Sequence, residues 1–285
     1  MANAILAYGN MAEEAELYGG TWQGTLPLAN LQDRRLGKVA RTTATTPLAT
    51  QFDADFGHTS LFRVLALVNH NLSQAALYKI TLSNIANFTS EVVSSGWLPV
   101  WPTVYPLGSL PWGAPNWWTG KYSAADIADY TGVLAYILPR SMNARYVRFE
   151  LSDPTNPAGY VQAGRLFAAD GWQPVRNMVY GASLAWEDPS EVQTALSGAE
   201  YFNERAKNRV ARFDLPAMTE DEGMAQAFDL QRRAGVTKEV LFIWDPDDTI
   251  HSRRRQFLGR LRTLSAIENP GPNRWRSPFE IKELL

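Results

Sequence analysis

The sequence predicts a mainly β protein with two β-rich domains. An N-terminal jelly-roll-like sandwich occupies residues 1–174, and a C-terminal β domain with one α-helix occupies residues 175–285. Three observations lead there. Several short segments alternate apolar and polar residues with the period of two expected of half-buried strands. Loops rich in Gly, Pro, Asn and Asp separate them. Only one segment carries both a helix start and a helix stop. A chain of 285 residues is long enough to bury a core in each of two domains.

In the first half, QFDADFG (51–57) sets Phe52, Ala54 and Phe56 against polar neighbours. LFRVLALVN (61–69) is rich in branched apolar residues and has no helix cap; LYKITLS (77–83) and RYVRFEL (145–151) alternate again. VQAGRLF (161–167) closes the set, after a turn-rich DPTNPAG at 153–159. Strands with such punctuation suggest a sandwich. AADGWQP (168–174) reads as the exit from the first domain.

In the second half, Thr219-Glu220-Asp221-Glu222 is a capping box: the threonine hydroxyl accepts from the Glu222 amide, and the Glu222 carboxylate reaches back. Met224, Ala225 and Phe228 supply an apolar face and Gly235 a stop, so a helix is expected over about 219–234. EVLFIW (239–244) reads as a buried strand ended by Asp245-Pro246-Asp247-Asp248. RVARFDL (209–215), FLGRLRTLS (257–265) and WRSPFEIKEL (275–284) read as further strands, with Pro278 assigning the last to a sheet edge.

Composition narrows the function. The 27 basic and 29 acidic residues leave a net charge of −2, which argues against nucleic acid as a specific partner. Cysteine is absent, so disulfides, thiolate metal sites and cysteine nucleophiles are excluded. The start, MANAILAYGNMAEEAELYGG, lacks the basic opening and long apolar run of a signal peptide. No stretch approaches the roughly 18 apolar residues of a membrane span. The expected product is soluble and made in the cytoplasm, without membrane insertion.

Catalytic patterns are missing. His58, His70 and His251 are dispersed without metal-ligand spacing, and there is no nucleophile elbow, Walker loop or dinucleotide fingerprint. The acidic run at 245–248 lacks the spacing and glycine of a calcium loop and fits a turn. No enzyme, metal or cofactor is therefore expected. Arg253, Arg254 and Arg255, with Arg260 and Arg262 nearby, form a basic run that reads first as a solvated loop, next as a subunit contact, and third, given the near-neutral chain, as a nucleic-acid contact.

The strongest anomaly is GWLPVWPTVYPLGSLPWGAPNWW (96–118). It holds Trp97, Trp101, Trp112, Trp117 and Trp118, half of the chain's ten tryptophans, in a proline-interrupted loop. Indole rings suit sugar faces, protein interfaces and the closing of a core equally well, and all three readings stay open for these five candidates.

Several segments in order carry a family resemblance: PLANLQDRRLGKVART (27–42), QFDADFG, VLALVNHNLS, LYKITLS and ARYVRFELSDPTNPAGYVQAGRLF. The series resembles the galactose-binding-like sandwich of the discoidin, or coagulation-factor type C, architecture, with an added Trp/Pro-rich insertion at about 94–120. More broadly, the chain resembles tail structural proteins of long-tailed bacteriophages and prophages. The second half, through NMVYGAS, EYFNERAKNRVARFDL, the capped helix, VLFIWDPDD and FEIKEL, is similar to the ring-forming hub of distal tail proteins. The order of the two parts is reversed relative to many of them.

This resemblance implies a virion structural protein of a tail tip or baseplate, a ring-forming adaptor between tail tube and receptor-binding apparatus. Its implied partners are itself, in a hexameric ring, and other phage tail and baseplate proteins, with synthesis in the host bacterial cytoplasm. The alternative is a carbohydrate-binding module or adhesin contacting host surface glycans through the tryptophan loop. A polysaccharide hydrolase needs a carboxylate pair that no spacing identifies.

Overall fold

The computed structural model describes residues 2–128 and 130–285. The chain is mainly β, and its strands form two large seven-stranded antiparallel sheets plus two small two-stranded ones. At the centre of the first sheet, Phe52–Val68 and Val133–Ser152 run antiparallel along most of their lengths. Arg165–Ala169 flanks the former and Leu77–Ser83 the latter. The second sheet runs in the order Ile5–Tyr8, Glu239–Ile243, Gln256–Leu261, Arg274–Glu283, Asn208–Met218, Ser183–Glu187.

The apolar pattern explains how the two sheets stack. Within Phe52–Val68, Phe62, Leu65 and Leu67 face the core of the first half, while Val64, Ala66 and Val68 face the other way. Leu166 and Ala168 likewise oppose Phe167 and Ala169. In the second sheet, Val240 and Phe242 enter that half's own core, and Leu241 and Ile243 face the first sheet. A middle layer built from Ile5, Ala7, Val64, Val68, Phe167, Leu241, Ile243 and Leu258 therefore joins the sheets face to face. Because both faces are buried, the run LFRVLALVN carries apolar residues at successive positions instead of alternating.

One buried ion network crosses the same boundary. Arg165, on the first sheet, has no exposed side-chain surface and donates through Nε to Glu239 on the second, at 3.0 and 2.9 Å. Its Nη2 reaches Glu239 and Glu13, both at 2.6 Å, and Asn10 Nδ2 donates to Glu239 at 2.6 Å.

Several expectations need correction. The strands expected at 51–57 and 61–69 are one continuous strand, Phe52–Val68, with a register shift between Asp55 and Ser60. Ile5–Tyr8 begins the half expected to be the sandwich, yet it pairs with Glu239–Ile243 in the second sheet. The segment at 161–167 breaks at Gly164, where a Cβ would fall 2.4 Å from the Leu36 carbonyl oxygen. Pro278 lies on an interior strand and not at an edge, opposite Asp214. On its other side, Glu268–Gly271 pairs only up to Arg276, and Gln256–Leu261 begins pairing at Ile281. Pro278 falls in that gap, so its missing amide costs no ladder bond there.

The capped helix is present, with Glu222 N donating to Thr219 Oγ1 at 3.2 Å and Thr219 N to Glu222 Oε2 at 3.2 Å. Its first turns are wound as a π-helix over Glu222–Phe228 before Asp229–Ala234 continues as α, and Gly235 ends it at φ 51°. Three further short helices, Pro47–Thr50, Ala124–Ala128 and Ser252–Arg255, were not expected.

Candidate functional site

The Trp/Pro-rich loop is pinned at its base and open at its tip. Trp101 is 4% exposed and packs with Val104 and Tyr122 in a small core of its own. Its Nε1 donates to the Leu72 carbonyl at 3.0 Å. Gly120, at φ 58°, accepts from the amides of both Val104 and Tyr105, at 2.8 and 2.9 Å. A Cβ there would stand 2.6 Å from the Tyr105 carbonyl oxygen, so the crossing requires glycine.

The same base reaches the second half of the chain. Tyr122 OH donates to the Ile250 carbonyl at 2.6 Å. The Arg253 guanidinium carbon lies 4.6 Å from the Trp101 ring centroid, and Arg253 Nη2 donates to the Ile127 carbonyl at 2.7 Å and the Tyr130 carbonyl at 3.1 Å. Arg253 is 6% exposed, and burial pulls its pKa down to about 10, so it remains a cation at neutral pH. Such a cation over an indole face, excluded from water, holds the loop base electrostatically as well as by packing.

The tip is a turn. Ala114 N bonds to the Pro111 carbonyl at 3.1 Å and Trp117 N to the Ala114 carbonyl at 2.9 Å. This brings three rings together: Trp112 and Trp117 at 4.7 Å and 68°, Trp117 and Trp118 at 4.6 Å and 87°. Trp117, half-buried, props the other two edge to face, and Trp112 and Trp118 are each 82% exposed. Two indoles held at a fixed angle with unstacked faces offer a low-entropy apolar contact surface.

Of the five candidate tryptophans, then, Trp112, Trp117 and Trp118 form one cluster. Trp101 belongs to the loop's foundation, and Trp97 is exposed but outside the cluster's ring contacts. The arginine run is likewise divided. Arg253 is interior, Arg254 is exposed, and Arg255 pairs with Asp248 at 3.0 Å.

The histidines are scattered. His58 lies on the rim of a cleft and His251 beside Arg254. His70 packs 5.6 Å from Trp101, accepts at Nδ1 from the Leu72 amide at 3.3 Å, and has an enclosed Nε2 without a partner. Burial, followed by the nearby Arg253 charge, pushes its pKa down to about 3. The acidic run at 245–248 is a turn, closed by Asp248 N to the Asp245 carbonyl at 3.2 Å. Among the described residues no group of three or more His, Asp or Glu is placed to hold a metal ion, and no helix is long and apolar enough to cross a membrane.

A feature absent from the sequence reading is an exposed arm. Ser183–Glu187 and Asn208–Met218 continue outward as the hairpin Glu191–Thr194 with Glu200–Asn203, all of whose residues are exposed. Val192, Leu196, Tyr201 and Phe202 are apolar and face solvent. Strands of only four residues, one with Tyr201 and Phe202 adjacent, carry no clear period of two, so the sequence does not announce this hairpin.

No family model matches the chain, and no curated protein sequence matches it. Solved structures do resemble part of it. A fucose-binding module of Streptococcus pneumoniae, SpX-3, is 13% identical over 56% of this chain and 97% of its own, with a TM-score of 0.36. The lectin domain of lectinolysin, solved with Lewis B antigen, is 16% identical over 57% of this chain and 96% of its own, at 0.38. CBM32-1 from a family 31 glycoside hydrolase of Clostridium perfringens is 11% identical over 57% and 98%, at 0.37. These likenesses cover little more than half of the chain, and the fold rests on its strand pairing rather than on them.

Proposed function

We propose that the protein is a non-catalytic glycan-binding protein of the adhesin type, with the tip of the tryptophan loop as its platform. The observation that carries this reading is the Trp112–Trp117–Trp118 cluster. Two of its rings are 82% exposed, although the loop beneath them is fixed by buried hydrogen bonds and a buried cation. Exposed indoles on a rigid base retain their contact area without an ordering cost on binding. In this reading the first half, to about residue 174, carries the platform and the second half supports it.

The test is a glycan array of bacterial surface saccharides, run with the unaltered protein and with Trp112→Ala/Trp118→Ala. Binding that vanishes in the variant while its melting temperature holds supports the platform. Binding of no glycan, or binding indifferent to the substitutions, refutes it.

A second reading has one observation of its own. The solvent-facing apolar arm at 191–203 is suited to contacts between subunits, which is what a structural subunit of a phage tail tip or baseplate requires. Such a subunit would be a ring-forming adaptor between tail tube and receptor-binding apparatus, partnered by further tail proteins. The two readings are compatible, since a tail-tip protein can bear a glycan platform. Native mass spectrometry over a concentration series tests the second: closed rings support it, and a monomer at every concentration counts against self-assembly.

A further inference from the structure

Two cavities share one wall strand, Ser183–Glu187. The larger, about 880 Å³, sets Trp186 beside Asn69, Tyr130, Thr131 and Lys207. The smaller, about 310 Å³, sets Leu184 beside Trp244, His251, Arg254 and Arg255. Leu184 and Trp186 are two positions apart on the strand, so their side chains leave the same face about 7 Å apart. The two cavities therefore lie side by side along that face.

The side chains that meet this surface are open to solvent. Trp186 is 53% exposed, and its ring is held 5.8 Å from that of Tyr130 at 41°. Arg254 is exposed and forms no salt bridge among the described residues; its Nη1 stands 3.4 Å from His251 Nδ1. The carboxylate of Asp126 lies near enough to bias Arg254, but it accepts from Ser123 N and Oγ, at 3.1 and 2.7 Å. Lys207 touches Asp188 at 3.5 Å, a loose pair exposed on both sides. Among the described residues lining the two cavities, Glu283 is the one acidic side chain, and it is buried against Arg209. The charge left for a ligand is thus positive.

Neutral partners stand beside these cations. Asn69, at φ 57°, donates its amide to the Gly132 carbonyl at 2.7 Å and its Nδ2 to the Leu36 carbonyl at 2.8 Å. Those bonds orient the side chain and leave Oδ1 without a partner among the described residues. The Thr131 hydroxyl is equally uncommitted, and both residues keep accessible surface.

We propose that this surface binds an acidic saccharide, with a sugar ring on Trp186 and a carboxylate paired with Arg254 or Lys207, at a site separate from the tryptophan platform. An indole face covers the apolar face of a sugar ring, and Asn69 Oδ1 and the Thr131 hydroxyl take its hydroxyl groups. A ligand ammonium meets the two free cations repulsively. A bare inorganic anion leaves the aromatic face uncovered. Nucleic acid fits less well, because two free cations neutralise few phosphates.

The experiment uses the full chain carrying Trp112→Ala/Trp118→Ala, so that the platform neither supplies nor masks the signal. The Trp186 indole N–H resonance is assigned by its disappearance in Trp186→Phe. Trigalacturonate, its trimethyl ester, 3′-sialyllactose and lactose are titrated to about 10 mM, a range that covers weak single-site binding. Expected is a saturable shift of that resonance with at least one of the two acidic sugars. Its neutral counterpart should bind about tenfold more weakly, as should the acid to Arg254→Gln or Lys207→Gln, through loss of a charged hydrogen bond. No shift with either acid, equal binding of acid and neutral counterpart, or a shift unaffected by both substitutions overturns the proposal. Tighter binding of hexathymidylate than of either acid overturns its saccharide assignment.

Discussion

Removing the guanidinium of Arg165 is the perturbation that most sharply tests how the two sheets are joined. In Arg165→Met the aliphatic stem is largely kept, so packing changes little. Glu239, itself 4% exposed, then loses all of its arginine contacts and keeps only Asn10 Nδ2 at 2.6 Å. Breaking a buried ion pair from one side costs about 3–5 kcal/mol, because the remaining charge stays out of water. That is a large fraction of the roughly 5–15 kcal/mol that stabilises a domain.

The assay is urea unfolding at neutral pH, followed by tryptophan fluorescence. Arg205→Met serves as control, since its partner Glu191 and Arg205 itself are both half exposed, and such a pair is worth about 0–1 kcal/mol. The double variant Arg165→Met/Glu239→Leu should recover much of the loss, as apolar replacements of buried pairs often do. A cost below about 1 kcal/mol for Arg165→Met would refute the claim that this network binds the sheets. Two separate transitions in the unaltered protein would show that the shared middle layer does not make the halves cooperative.

Further outcomes follow from the loop and its surroundings. Trp101→Ala should cost about 3–5 kcal/mol in urea unfolding, as for other buried aromatic truncations, while Trp118→Ala stays within about 0.5 kcal/mol. His70 is neutral in the fold down to about pH 3 but titrates near 6.5 when unfolded. The unfolded state therefore binds more protons below pH 6.5, and stability falls as pH drops from there toward 3. The loss at pH 5 is about 2 kcal/mol, and it should be absent from His70→Gln when urea midpoints at pH 7.5 and 5 are compared. Tyr201→Ser/Phe202→Ser should leave the melting temperature unchanged and abolish any rings seen by native mass spectrometry; rings that persist would clear the arm of a role in assembly.

What could be read in the sequence was local. LYKITLS gave its strand to the residue, and the capping box placed the helix start, because cross-strand alternation and cap chemistry are written within a few positions. Tertiary placement was not. Ile5–Tyr8 is too short to announce itself, and its partner Glu239–Ile243 lies at the other end of the chain. The five loop tryptophans are alike in sequence, yet Trp101 is fixed by Leu72 and Arg253, which no spacing rule connects to it. The three arginines at 253–255 share a short helical turn, and a rotation of about 100° per residue sends them to an aromatic cage, to solvent and to Asp248.

The most direct measurement is the affinity for a glycan captured on the array, taken for the unaltered protein, Trp118→Phe and Trp118→Ala. A stacking platform predicts a graded loss, modest for the smaller ring and about tenfold or more for alanine, with the fold unchanged. Equal affinity in all three would contradict the assignment of the exposed tryptophan cluster as the binding surface.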